Sequence, residues 1–243
     1  MGSERAQCIS GSRGAAGLLP PALVALPGGP FLMGSENGRP DERPPHLVEL
    51  APFRAAVAPV SSAEYARFVA ATGHQPPPFG SDPLFSAPGQ PVVGINWHDA
   101  VAYCDWLARE TGTPFRLPTE AEREYAACGD SQGDWPWPGS AKDHPAFAVL
   151  DAMDRPHAPG PECANAYGLR CMAENVHEWC FDWFDAGYYA VSPTVAPPGP
   201  ASGRRRVSRG GAWRHSNKFT RVNARSSLDP SFRYSDFGFR VYA

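Results

Sequence analysis

Residues 165–183 read NAYGLRCMAENVHEWCFDW, a stretch in which aromatic, charged and small residues alternate without a sustained helical period. The same character continues from Asp130 to the end of the chain, where Pro, Gly and aromatic residues recur and helix signals are scarce. Such composition is typical of loops and short β segments, whose backbone polar groups are satisfied by turns and side chains. The second half of the chain is therefore predicted to be loop-rich, with short strands.

The first half of the chain carries three helix signatures instead. SSAEYARFVAATG and FRLPTEAEREYAACG hold the spacing of capping boxes, which begin at Ser61 and Thr119, and NWHDAVAYCDWLARETG opens with the N-cap residue Asn96. A glycine follows each of the three segments as a stop signal. Helices early and strands late, without strand–helix alternation, predict an α+β fold.

The composition indicates one folded domain. The chain has 243 residues, 28 Pro and 24 Gly, and its 7 Trp, 8 Tyr and 13 Phe are more aromatic residues than disordered chains contain. Residues 1–23 are predicted to form a flexible tail, and residues 24–243 the domain. Six cysteines with no CxxC pair give no reason to expect a zinc site.

Charge and hydropathy restrict the partners. The net charge of −3 gives no electrostatic reason to expect nucleic acid or an anionic membrane, and no stretch is long and apolar enough to span a bilayer. The apolar run near the N-terminus is broken by Pro20 and Pro21, which is atypical of a secretory signal. A cytoplasmic protein with reduced thiols is therefore expected.

The segment AENVHEWC, residues 173–180, is the best candidate for a metal site. The side chains of Asn175 and Glu178 and the carbonyl of Val176 are hard oxygen ligands, which suit calcium. Alternatively, the two side chains hydrogen-bond a buried turn. No GxGxxG, Walker loop, HExxH or GxSxG motif is present to indicate a common catalytic class.

The segment RGGAWRHSNKFTRVNARSS, residues 209–227, has the composition of a binding-site lining. His177 and His215 are each interpreted either as a metal ligand or base, or as a hydrogen-bonded residue, the second being the commoner case. Trp213 follows two glycines, which allow close approach of backbone or ligand.

Arg221 and Arg225 are four residues apart and share a face in a strand or a helix. With Asp236 and Glu178 they would form either an internal ion-pair network, which we favour, or an anion-binding site.

Seven blocks of this sequence resemble one known family. GGPFLMGS, VGINWHDAVAYCDWL, FRLPTEAEREYAA, PWPG, NAYGLRCMAENVHEWCFDW, RRVSRGGAW and FGFR occur, from about Leu26 to Tyr242, in the order seen in the sulfatase-modifying-factor, or formylglycine-generating-enzyme-like, family. The resemblance implies a C-type-lectin-like fold that is mixed, loop-rich and often supported by calcium. It also implies calcium ligation at Asn175, Val176 and Glu178.

The sequence departs from the family where the chemistry is expected. Formylglycine-generating enzymes bind copper(I) with two cysteines shortly after the Gly–Gly pair, because copper(I) requires soft thiolates. Here the first position holds His215, and the second holds Thr220 or Asn217, depending on the direction of counting. No copper is therefore expected, and formation of formylglycine by the known mechanism is not predicted.

Two classes of function follow from the resemblance. The favoured one is a module that does not form formylglycine and binds a peptide or a small polar ligand, with or without a protein partner in a modification or biosynthetic pathway. The alternative is a diverged oxidoreductase that modifies a peptide or an amino-acid-derived substrate with a metal or a partner subunit. The predicted cleft is lined by Trp179, Trp213, His215, Asn217, Arg221, Arg225 and Tyr234.

Overall fold

A computed structural model describes residues 20–129, 131, 133–137, 154–215 and 219–243. Within them the helices are α1 (Ser62–Thr72), α2 (Trp97–Thr111) and α3 (Glu120–Cys128). The strands are β1 (Leu23–Leu26), β2 (Gly29–Met33), β3 (His46–Leu50), β4 (Phe53–Ala56), β5 (His177–Trp183), β6 (Arg206–Arg209), β7 (Arg225–Leu228) and β8 (Phe237–Gly238). Helices that precede a mostly antiparallel sheet confirm the predicted α+β class.

The three helices begin at the predicted caps. Ser61, Asn96 and Thr119 each accept a hydrogen bond from the backbone three residues later, and the acidic side chain at that position reaches back to the cap. The reciprocal bonds satisfy backbone donors that the first turn would otherwise leave free. Gly73 and Gly112 end α1 and α2 in the left-handed conformation.

The N-terminal strands form two separate antiparallel pairs, β1 with β4 and β2 with β3. The consecutive strands β1 and β2 therefore do not form a hairpin with each other. Gly28 and Gly29 both have positive φ angles, of 67° and 96°, and they turn the chain from one pair into the other. Leu23 already pairs with Ala56, so the ordered strand begins at the last residue of the predicted tail.

The third sheet positions the functional site. It has four strands in the order β7-β6-β5-β8, with β5 antiparallel to β6 and parallel to β8. Residue pairing places His177 beside Phe237 and Glu178 beside Arg209, while Arg209 also pairs with Arg225. The start of β5, the end of β6 and the start of β7 therefore meet at one end of the sheet.

The interior contains buried ion pairs as well as apolar clusters. Glu178 is bound by Arg123 and Arg240, Glu124 by Arg209, and Glu120 by Arg209 and Arg225, with nitrogen–oxygen distances of 2.6 to 3.0 Å. All of these side chains are at most 5% exposed. Buried charges require such partners, because a lone charge removed from water is very costly.

Residues 1–19, most of the predicted tail, lie outside the described residues. No helix in the described ranges is long and apolar enough to cross a membrane.

Candidate metal centre

A small cavity of about 190 Å³ opens where β5 and β7 begin and β6 ends. Gly210, which follows β6 directly, has a φ angle of 79° and turns the chain across the cavity floor. The residues that line the cavity are Arg39, His177, Gly210, His215, Phe219, Ala224, Arg225 and Ser226.

His177 is a buried titratable group in the wall of the cavity. Its side chain is buried, its ring lies 4.8 Å from the rings of both His215 and Phe237, and its backbone N–H donates to the carbonyl of Asp236. Burial, together with the neighbouring His215, lowers the pKa of His177 to about 3. A backbone hydrogen bond at Gly210 opposes this shift. The imidazole is therefore neutral near neutral pH.

His215 and Asp236 complete a cluster around His177. One candidate ligand atom from each of the three side chains lies within 4.8 Å of the others, and Nε2 of His215 is 3.7 Å from Oδ2 of Asp236. Burial lowers the pKa of His215, although the Asp236 carboxylate acts against this effect. Nδ1 of each histidine is buried without a hydrogen-bond partner among the described residues.

The Asp236 carboxylate is held from outside the cluster. Arg214 donates to both of its oxygens, at 2.9 and 3.0 Å, and the Arg214 side chain is 45% exposed. A carboxylate can accept about four hydrogen bonds or ligand contacts, so the arginine leaves lone pairs available on the side of the histidines. Two neutral imidazoles and one carboxylate form the ligand set of mononuclear iron(II) sites with open coordination positions.

Arg39 and Phe219 form the mouth of the cavity. The Arg39 guanidinium donates to Glu42 at 3.1 Å and to the backbone carbonyl of Arg225. Phe219 is 38% exposed, and its ring is 5.9 Å from that of His215. A cationic and an aromatic side chain therefore face any molecule that enters.

Two predicted lining residues lie beside the cavity. The indole of Trp213 donates to the carbonyl of Ser235 at 3.2 Å and lies 5.8 Å from the ring of Phe85. Tyr234 is 43% exposed and packs against Phe237. Neither residue lines the cavity, and Asn217 lies outside the described residues.

Trp179, which was predicted to line the cleft, is fully buried instead. It belongs to the apolar core around α1 and α2, and its indole donates to the carbonyl of Ile95 at 2.8 Å.

Arg221 and Arg225 form internal ion pairs, as favoured from the sequence, but with other partners. Arg225 is 1% exposed and binds Glu120 through two hydrogen bonds of 2.7 and 2.9 Å. Arg221 binds Glu42 at 2.7 Å. The expected partners, Asp236 and Glu178, are bound by other arginines. The alternative interpretation of Arg221 and Arg225 as an anion-binding site in the cleft is therefore wrong.

The residues predicted to bind calcium do not fit that ion. Both carboxylate oxygens of Glu178 accept hydrogen bonds from Arg123 and Arg240. Although burial opposes ionisation, these arginines hold the pKa of Glu178 below its ordinary value. Asn175 uses its amide to bind the backbone of His157, and a divalent cation beside two guanidinium groups would be repelled. The backbone carbonyl of Val176 alone does not form a calcium site.

The sequence analysis missed a second cluster of ligand side chains, formed by His157, Cys163 and Cys171. The two cysteines are eight residues apart, outside any CxxC spacing. The signal that points to them is the Asn-Ala-Tyr-Gly turn, because Gly168 has a φ angle of 80° and reverses the chain between them.

Comparison with known proteins agrees with this architecture. The family model described as "Sulfatase-modifying factor enzyme 1-like domain" matches residues 13–243. The chain is 34% identical to the formylglycine-generating enzyme of Streptomyces coelicolor, with 89% of this chain and 87% of that protein covered. It is 31% identical to the hercynine oxygenase of Mycolicibacterium smegmatis, covering 89% of this chain but only 58% of that protein.

Among solved structures, PvdO from Pseudomonas aeruginosa superposes with a TM-score of 0.82 at 30% identity, covering 91% of this chain and 94% of PvdO. The C-type-lectin-like fold expected from the sequence is thereby confirmed. The chain belongs to the sulfatase-modifying-factor, or formylglycine-generating-enzyme-like, family.

Proposed function

We propose that this protein is a metal-dependent oxidoreductase of the formylglycine-generating-enzyme-like family that binds one iron(II) ion through His177, His215 and Asp236. Its substrate is a peptide or a small polar molecule, and it does not form formylglycine through a copper dithiolate. The observation that carries the proposal is the cluster itself, in which three ligand atoms on different segments lie within 4.8 Å of one another.

The protonation of the cluster supports metal binding. A metal ligand must present a free lone pair, and the lowered pKa values of both imidazoles keep them neutral. Ligating histidines commonly have one ring nitrogen held by a backbone carbonyl, and His177 has a backbone hydrogen bond at Gly210. Arg214 orients the Asp236 carboxylate in the same manner.

The sulfur chemistry of the family has no counterpart at this position. The sequence contains no cysteine after Cys180, and His215 stands where the resemblance places the first copper-binding thiol. Imidazole and carboxylate suit iron(II) far better than they suit copper(I), which prefers thiolates. When bound, the ion supplies coordination positions for substrate and oxidant.

The size of the cavity bears on the substrate. Sites for whole drug-sized ligands are generally about 300 Å³ or larger, whereas this cavity has about 190 Å³. One side chain of a peptide, or the end of a small polar molecule, fits that space. Arg39 at the mouth favours an electron-rich or anionic group, and Phe219 offers a face for packing.

A second function, a metal-free binding module, is favoured by one observation. Arg214 already neutralises Asp236 with two hydrogen bonds, as a purely structural ion pair would. In that case the cavity would bind the same polar ligands without redox chemistry.

Anaerobic titration of the purified protein with Fe²⁺ distinguishes the two functions. We expect Fe²⁺ to bind with an affinity that is at least about tenfold lower in His177→Ala, because a ligand is removed. His98→Ala is the matched control, since His98 is exposed on α2 and should leave binding unchanged. Equal Fe²⁺ affinity in wild type and His177→Ala would contradict the proposal.

A peptide assay tests the proposal that this protein does not form formylglycine. A cysteine-containing sulfatase peptide, incubated with Cu⁺ and air, should yield no aldehyde. Formation of formylglycine would instead require a thiol-based copper site in this chain.

A further inference from the structure

A cluster rich in sulfur lies in the loop that precedes β5. Candidate ligand atoms of His157, Cys163 and Cys171 all lie within 4.8 Å of one another. The two sulfur atoms are 2.9 Å apart, and Nε2 of His157 is 3.8 Å from the sulfur of Cys171. Both cysteines are buried, while His157 is half-buried.

The backbone holds the two cysteines together. Ala164 and Arg170 form an antiparallel bridge, and the backbone N–H of Cys171 donates to the carbonyl of Cys163 at 3.0 Å. The side chain of Asn165 accepts from two N–H groups inside the turn and donates to the end of α3. The cysteines therefore occupy facing positions of an anchored turn.

Two buried polar atoms beside the sulfur atoms, Nδ1 of His157 and Oε1 of Glu174, lack a hydrogen-bond partner among the described residues. Glu174 is 1% exposed, and its carboxylate is in hydrogen-bond contact with Cys171. Buried polar atoms are nearly always satisfied, so unpaired ones in a cluster of ligand residues indicate a missing partner.

Asn175 supports the imidazole from behind. Its side-chain oxygen accepts from the backbone N–H of His157 at 3.1 Å, and its amide donates to the carbonyl of the same residue at 2.9 Å. Asn175 adopts a φ angle of 81°, a left-handed conformation that non-glycine residues seldom adopt without a reason. This asparagine therefore fixes His157 relative to the two cysteines.

We propose that His157, Cys163 and Cys171 bind a Zn²⁺ ion. This zinc site is inferred separately from the proposed iron site and from any catalytic activity. Zn²⁺ accepts sulfur, nitrogen and oxygen ligands together in four-coordinate sites, whereas copper(I) prefers sulfur alone and calcium prefers oxygen alone.

The position of the site suggests what the ion does. In the described part of residues 154–176 the regular structure is one short 3₁₀ turn, Pro161–Cys163, and this segment leads directly into His177 of β5. A bound ion stabilises such a loop by favouring the folded state. The zinc ion would therefore fix the segment that positions the iron ligand.

Titration of the reduced full-length protein with Co²⁺, a spectroscopic substitute for Zn²⁺, tests the site. We expect a thiolate-to-cobalt absorption band that Zn²⁺ displaces, and a melting temperature that rises by about 5 °C when Zn²⁺ is added to the metal-free protein. Cys163→Ser and Cys171→Ser should lose the band. Cys128→Ser, which changes a half-buried cysteine at the end of α3, should retain it.

A count of the free thiols of the folded wild-type protein keeps the test decisive if a variant fails to fold, because this measurement needs no variant. Wild-type protein with no cobalt band would overturn the proposal, as would binding of Cu⁺ with no competition from Zn²⁺. Loss of two of the six thiols to a disulfide that persists under reducing conditions would also overturn it.

Discussion

Arg225 shows how strongly burial changes the role of a single side chain. In the sequence it belonged to a basic pair suited to an anion, but its guanidinium is fully enclosed and binds both oxygens of Glu120. It also lies 4.1 Å from the centre of the Tyr189 ring. Its main contribution is therefore to stability.

Replacement of Arg225 by alanine should lower the free energy of unfolding by about 3–5 kcal/mol, because it leaves the buried Glu120 without one of its two cations. Urea denaturation followed by tryptophan fluorescence measures this change. Arg204→Ala is the control, since Arg204 is exposed and should change stability by less than about 0.5 kcal/mol. A cost for Arg225→Ala as small as that of the control would show that the ion pair is not structural.

The three helices illustrate what could be predicted at the scale of an element. Each capping residue and its partner are three positions apart, so the sequence contains the complete interaction. Strand pairing lacks such a local signal. β1 pairs with β4 only because the whole fold brings them together, since the paired residues Leu23 and Ala56 are 33 positions apart in sequence.

A contact between two elements provides a pH-dependent test. Asp182 on β5 accepts a hydrogen bond at 2.8 Å from the backbone N–H of Glu120, at the N-terminus of α3. Burial, and secondarily the negative charge of Glu120, raises the pKa of Asp182 from 3.8 to about 7. The folded state thus holds a proton that the unfolded chain has already released above about pH 4.

The contribution of Asp182 to stability should fall as the pH rises from about 4 to 7 and then remain level. Asp182→Asn retains an acceptor and does not titrate, so its stability relative to wild type should increase over that range, by a few kcal/mol at most. Thermal unfolding at a series of pH values measures the difference. Asp105→Asn, on the exposed face of α2, is the control. Parallel profiles for wild type and Asp182→Asn would refute this account.

At the scale of the whole molecule, the candidate site depends on the topology of the third sheet. His177 and His215 attracted attention in the sequence as single residues, and Asp236 as an ion-pair partner. Only the parallel pairing of β5 with β8 and the antiparallel pairing of β5 with β6 bring them together. Their convergence could not be predicted from spacing, because the contacts cross strands that are distant in the chain.

Long-range contacts also explain why Glu178, predicted to bind calcium, has arginine partners instead. The family resemblance supplied the residue types, but Arg123 and Arg240 reach Glu178 from α3 and from the segment after β8. Two buried guanidinium groups thus bind the carboxylate that a calcium ion would need. A local motif does not reveal such long-range partners.

The most direct test of the metal centre is X-ray absorption at the iron edge, on wild-type protein given one equivalent of Zn²⁺, which the thiolate ligands take first, and then one equivalent of Fe²⁺. The account predicts a first shell of nitrogen and oxygen atoms with the outer scattering of two imidazole rings, and a loss of that scattering in His215→Ala. Sulfur in the iron shell, or a spectrum that His215→Ala leaves unchanged, would contradict it.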